Sequence, residues 1–180
     1  PSPPAWRLGR RSRGRGYFLF RARIEQRRHP PSGRWLPRVV LESPDWVNVV
    51  AMTSEGLVIL VRQYRFGSSS VTTELPAGMV DPGESPLAAA QRELLEETGH
   101  AAEAWTALGS VAPNPAFLNN RCHLFLAQGC RPVAAPRLDG GEDIALALWP
   151  LARVREAVRV GVIDHSLVVC AISRLENLGM

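Results

Sequence analysis

The stretch GMVDPGESPLAAAQRELLEETGH, Gly78 to His100, decides the reading of this 180-residue chain. An acidic run of Glu93, Glu96 and Glu97 follows Arg92, and the run is entered through Gly78, Asp81, Pro82, Gly83 and Glu84. As a pattern it is G-x5-E-x7-R-E-U-x-E-E-x-G-U, with U a bulky apolar residue. Every position is met except the last, where His100 stands. Seven fixed residue types and one apolar position arise by chance in a chain of this length with odds on the order of 10⁻⁷.

Local chemistry predicts a helix inside the stretch. The Ser85 hydroxyl can accept an orphan amide, and Pro86 at the first helical position loses no intrahelical bond. Gly99 supplies the stop. Between them Leu87, Ala90 and Leu94 form a core-facing stripe, and Glu93, Glu96 and Glu97 lie beside it, because positions three and four apart are neighbours on a helix. An isolated cluster of this kind is most often a solvated acidic face. Here the tightly turned segment Leu75-Pro76-Ala77-Gly78 and Asp81-Pro82-Gly83 moves the reading to a divalent-cation site, since hard oxygen donors at this spacing suit magnesium. Glu84 and Arg92 are expected to pair and brace the loop against the helix, a supporting role.

The rest of the chain alternates short apolar runs with turns. Strands are expected at Tyr17–Ile24 and Trp35–Leu41 around a His29–Gly33 loop, giving a hairpin. Trp46–Ala51 and Leu57–Val61 read as paired core strands, and Val71–Leu75 feeds the glycine loop. Strands at Trp105–Val111, Cys122–Ala127 and Ile144–Leu148 follow, then helices at Leu151–Val160 and Ser166–Leu175 separated by Gly161. This is an α/β chain with a mixed β-sheet between helices, long enough for one substantial core.

All 21 cationic residues are arginine. Residues 1–28 carry nine arginines against Glu25, and the remainder carries 12 arginines against 16 acids. The basic front end, 1–16, reads as a lead-in to a single domain over 17–180. Nucleic acid is disfavoured as its partner, because no recognised binding module accompanies it. No apolar run reaches membrane-spanning length, and the start lacks the apolar h-region expected of a secretory signal. Cys122, Cys130 and Cys170 have neither paired nor metal spacing and read as inert thiols in a reducing cytoplasm.

The 78–100 pattern resembles the Nudix box, the phosphate-and-metal element of the Nudix hydrolases. Val61-Arg62-Gln63-Tyr64-Arg65, Glu74–Val80, Pro115 and Gly141–Ile144 resemble the ADP-ribose and nucleoside diphosphate sugar pyrophosphatase branch of that family. The resemblance implies the Nudix fold: an α/β/α sandwich with an N-terminal β-hairpin extension, residues 17–45, that serves a homodimer. It implies hydrolysis of a nucleoside diphosphate sugar, ADP-ribose foremost, with Mg2+ as cofactor and Mn2+ able to substitute. By position, the Ala77 carbonyl, Glu93, Glu96, Glu97 and Glu142 would hold metal. Glu142 would be the general base, Glu96 and Arg92 would support catalysis, and Gly78 and Glu84 would be structural. Arg65, Glu74, Met79, Trp46, Asn114 and Asn120 would meet substrate.

Some positions leave alternatives open. Gly140 stands where related sequences have a second acid, so Asp139 or Asp143 can share the work of Glu142. Asn120 stands where ADP-ribose enzymes often have an acid, and His100 replaces an apolar packing residue. Trp46 suits base stacking, although tryptophan beside a strand is more commonly a core or dimer contact. Two other functions fit the same sequence: a Nudix-fold regulator that binds a nucleotide sugar without cleaving it, and a Nudix hydrolase of another substrate such as dinucleoside polyphosphates.

Overall fold

The computed structural model of the chain describes residues 6–17, 19–138, 140 and 143–176. Glu142, expected as the general base, and its neighbours Asp139 and Gly141 lie outside the described residues. Contacts divide the chain into two units, 1–44 with 112–120 and 45–111 with 121–180.

In the first unit, β1 (Arg7–Arg11), β2 (Arg15–Gly16), β3 (Arg21–Arg28) and β4 (Trp35–Glu42) form an antiparallel sheet. β3 takes β4 along one edge and the two short strands along the other. The His29–Gly33 turn joins β3 to β4 as expected, but β3 starts four residues later than its apolar residues suggest. One face of it carries charge rather than apolar residues: Arg23 and Arg27 close on Glu25 from the same face of the strand, and Arg11 of β1 joins them at 3.0 Å. Glu25 is fully buried. Burial alone would raise its carboxyl, and the Arg23 and Arg27 bonds hold it below the ordinary carboxylate range. Two strands thus occupy the segment expected as a lead-in, and part of its charge is internally neutralised.

The second unit holds β5 (Trp46–Thr53), β6 (Leu57–Arg65), β7 (Ser70–Glu74), β8 (Ala77–Met79), α1 (Pro86–Thr98), β9 (His100–Ala101), β10 (Ala104–Val111), β11 (Cys122–Pro132), β12 (Ile144–Pro150), α2 (Leu151–Arg159) and α3 (Ser166–Glu176). The sheet runs β10-β11-β5-β6-β12, with β7 on β6, β8 on β5 and β9 on β11. It is mixed, because β11 and β5 are parallel and the remaining pairs antiparallel. Two-residue alternation on β5 sends Val47, Val49 and Ala51 to the layer containing Ala89, Ala90 and Leu94 of α1. Val50 goes to the opposite layer with Val154 of α2 and Val168, Ala171, Ile172 and Leu175 of α3. A strand buried on both faces reads as an unbroken apolar run, and each fully buried valine or leucine contributes about 1.5–3 kcal/mol.

Three details differ from expectation. Leu87 shares the angle of the apolar stripe but sits in the first turn of α1, ahead of the buried residues, and is 40% exposed; Ala89 is buried in its place. β6 continues through Arg65, since β7 and β12 flank its polar end and supply ladder partners. β11 continues to Pro132, where β9 pairs with it. Among the described residues no helix is long and apolar enough to cross a membrane. The three cysteines are free; burial pushes the Cys122 thiol up to about 12 and Cys130 to about 11, so neither is a thiolate at neutral pH.

Candidate active site

α1 begins and ends where its capping residues dictate. The Ser85 hydroxyl accepts the Ala88 amide at 3.2 Å, and Pro86 takes the first helical position. Gly99 closes the helix at φ 71°, in the left-handed region, and donates its amide to the Leu95 carbonyl. A Cβ at Gly99 would also collide with the Ala134 carbonyl. The segment after β11 lies against this end, with Val133 and Ala134 donating to the Gly99 carbonyl and Arg137 to the Glu96 carbonyl at 2.8 Å. His100 is half-buried and turns back onto Thr98, its Nδ1 2.8 Å from the Thr98 carbonyl.

The acids of α1 hold three different positions. Glu97 is 4% exposed and accepts the Ala77 amide on Oε2 at 3.0 Å, fastening the last turn of α1 to β8. Glu93 lies over Gly78, where a Cβ would overlap its carboxylate, so glycine is required there for clearance. Glu96 is the most open of the three. Arg92 gathers the rest. It donates to both Glu84 oxygens at 3.1 and 3.0 Å, to the Met79 carbonyl at 2.9 Å, to Glu93 at 2.8 Å and to Glu96 at 3.0 Å. The Arg92 bonds hold Glu84 below its ordinary carboxylate range, and chiefly through Glu84 the guanidinium is raised further. The bracing of loop by helix expected from Glu84 and Arg92 is thus present, and it extends to two of the candidate metal acids.

A second cluster surrounds Arg65. Its Nε and Nη2 meet the two oxygens of Glu74 at 2.8 and 2.7 Å, the Thr72 hydroxyl meets Glu74 Oε1 at 2.5 Å, and His165 Nε2 lies 3.8 Å from Oε2. Glu74 is 2% exposed, so it lies beneath Arg65. Burial would raise its carboxyl, but the Arg65 and Thr72 bonds outweigh that and lower it. Thr72 and His165 were not among the sequence candidates. A signal existed for Thr72, because two-residue alternation on paired strands sets Arg65, Thr72 and Glu74 on one face. No spacing announces His165, which arrives from the turn before α3.

The remaining candidates are dispersed. Met79 pairs with Trp46 at the start of β5, and Trp46 packs partly buried against the α2/α3 core. Ile144, just after the acidic loop, pairs with Gln63, two residues from Arg65. Asn114 and Asn120 belong to the first unit and serve its own chain turns: the Asn114 side chain accepts the Ala116 amide, and Asn120 donates to the Pro44 carbonyl at 2.8 Å.

Among the described residues no three acids, histidines or cysteines converge on one point, because Arg92 draws Glu93 and Glu96 while the Ala77 amide draws Glu97. The donor chemistry nonetheless fits a hard divalent cation. Three carboxylates project from one helix beside a glycine whose missing side chain leaves the space Glu93 fills.

A mixed sheet between helices, with this braced acidic helix at its side, makes the class α/β. The NUDIX domain model matches residues 43–164. The chain is 34% identical to the ADP-ribose pyrophosphatase of Mycobacterium tuberculosis over 156 residues, 86% of this chain and 75% of that protein. It is 33% identical to the methanol dehydrogenase activator of Bacillus methanolicus over 147 residues, 81% of this chain and 80% of that one. A solved structure of an ADP compounds hydrolase superposes with a TM-score of 0.85 at 23% identity, covering 99% of this chain and 96% of that one, a likeness of fold. The chain belongs to the Nudix family and is a Nudix hydrolase, a family whose members generally need a divalent metal.

Proposed function

We propose that the protein hydrolyses the pyrophosphate bond of nucleoside diphosphate sugars, ADP-ribose foremost, giving a nucleoside monophosphate and a sugar phosphate. One observation carries this reading: the acidic helix is fixed at both ends of the glycine loop, by Arg92 on Glu84 and Met79 and by Glu97 on the Ala77 amide. The relationship to ADP-ribose pyrophosphatases supports the choice of substrate.

Mg2+, with Mn2+ as substitute, would be held by the Ala77 carbonyl, Glu93, Glu96, Glu97 and Glu142. Bound there it would neutralise the diphosphate and acidify water. The chain supplies positioning and charge, which make up most of phosphoryl-transfer catalysis. Arg65 meets the diphosphate oxygens, and Met79 and Trp46 border the substrate. Glu142 accepts the proton of the water whose oxygen attacks phosphorus. The bridging P–O bond breaks, and each half leaves as a monoester. A homodimer belongs to the same reading, supported by the exposed Ile24, Trp35 and Val39 on the sheet of the first unit. So does a reducing compartment, supported by three free cysteines.

The similarity to a protein named as a dehydrogenase activator favours a second reading, that of a nucleotide-binding regulator. Incubation with ADP-ribose, ADP-glucose and GDP-mannose, with and without magnesium, separates the two. Release of a monophosphate with magnesium supports the pyrophosphatase. Full recovery of all three nucleotides from folded protein would give way to the regulator.

A further inference from the structure

We propose that Glu74 is the positioning residue for Arg65, and that the segment 74–77 sets the distance between Arg65 and the acidic helix. The inference rests on Arg65 being the diphosphate contact. Each end of this segment holds one half of the site. At Glu74 the side chain takes the Arg65 fork, and at Ala77 the backbone amide takes Glu97. Three residues of extended chain span at most about 10–11 Å, so the cation and the acids are kept within reach of one diphosphate.

The Glu74 carboxylate is held by Arg65 of β6 and by Thr72 of its own strand β7, and His165, from the turn before α3, stands 3.8 Å away. Glu74 is buried while the Arg65 side chain is about a third exposed. The fork thus fixes the plane of the guanidinium from its buried side. A bidentate fork specifies orientation as well as charge, which a single hydrogen bond does not. Stability is a weak reason for such a pair, since a buried ion pair is commonly no better than an apolar replacement.

Kinetics on ADP-ribose with Arg65→Ala, Glu74→Gln, Thr72→Val and the Arg65→Ala/Glu74→Gln double variant test the assignment. Loss of an oriented contact made equally in ground and transition states raises KM about tenfold and leaves kcat within about threefold, for either single variant. The double variant should be no worse than Arg65→Ala alone, because residues acting through one another are not additive. Thr72→Val, which keeps both charges, should raise KM in the same direction by less. An unchanged KM in Arg65→Ala would remove the diphosphate role of Arg65 and the positioning role with it. An impaired Arg65→Ala on which Glu74→Gln is fully additive, or a silent Glu74→Gln, would overturn the positioning role alone. Should Glu74→Gln fail to fold, Thr72→Val decides, and an unchanged KM there overturns the proposal.

Discussion

Arg92 holds Glu84 through two parallel bonds, Nε to Oε1 at 3.1 Å and Nη2 to Oε2 at 3.0 Å, and so ties the helix to the loop eight residues before it. The same guanidinium spans to Glu93 and Glu96. Lysine keeps the charge and loses the fork. Arg92→Lys is expected to lower kcat by roughly tenfold or more, in line with the loss of a partner that orients metal ligands. Steady-state rates beside a thermal melt check this; a rate equal to wild type would deny Arg92 its bracing role.

Gly78 leaves room for Glu93, and a methyl group there overlaps the carboxylate. Gly78→Ala is therefore expected to weaken magnesium dependence and turnover together while circular dichroism stays native. Undisturbed magnesium titration of activity in this variant would show that the clearance is incidental.

Much of this arrangement was legible in the sequence because it is local. Ser85, Pro86 and Gly99 define the helix by capping chemistry alone, and the Glu84–Arg92 pair follows from their places either side of its first turn. Pairings across the sheet were less legible. Arg65, Thr72 and Glu74 meet only because β6 and β7 pair in one register, and His165 joins them from a turn with no pattern of its own. The first unit defeated apolar periodicity for another reason: β3 is organised by arginines around a buried Glu25, so its strand reads as charge. Glu142 stays a reading from resemblance, lying outside the described residues.

Because Glu74 has its carboxyl held below the usual 4.5 by Arg65 and Thr72, its ionised form stabilises the fold. For a depressed carboxyl that contribution is fully present above the unfolded value and disappears as pH falls through the folded one. The melting-temperature gap between wild type and Glu74→Gln should thus be constant near neutrality and shrink on acidification below about 4.5. A gap that widens in acid would reverse the sign and contradict the assignment.

The most direct measurement is monophosphate release from ADP-ribose by Glu97→Gln, set against wild type under saturating magnesium. Glutamine keeps the size of Glu97 and its bond to the Ala77 amide while removing the charge. A fall in kcat of roughly a hundredfold or more is expected, since a ligand should matter at least as much as the groups that support it. Turnover undiminished in that variant, with wild type active, would contradict the central claim that this helix carries the chemistry.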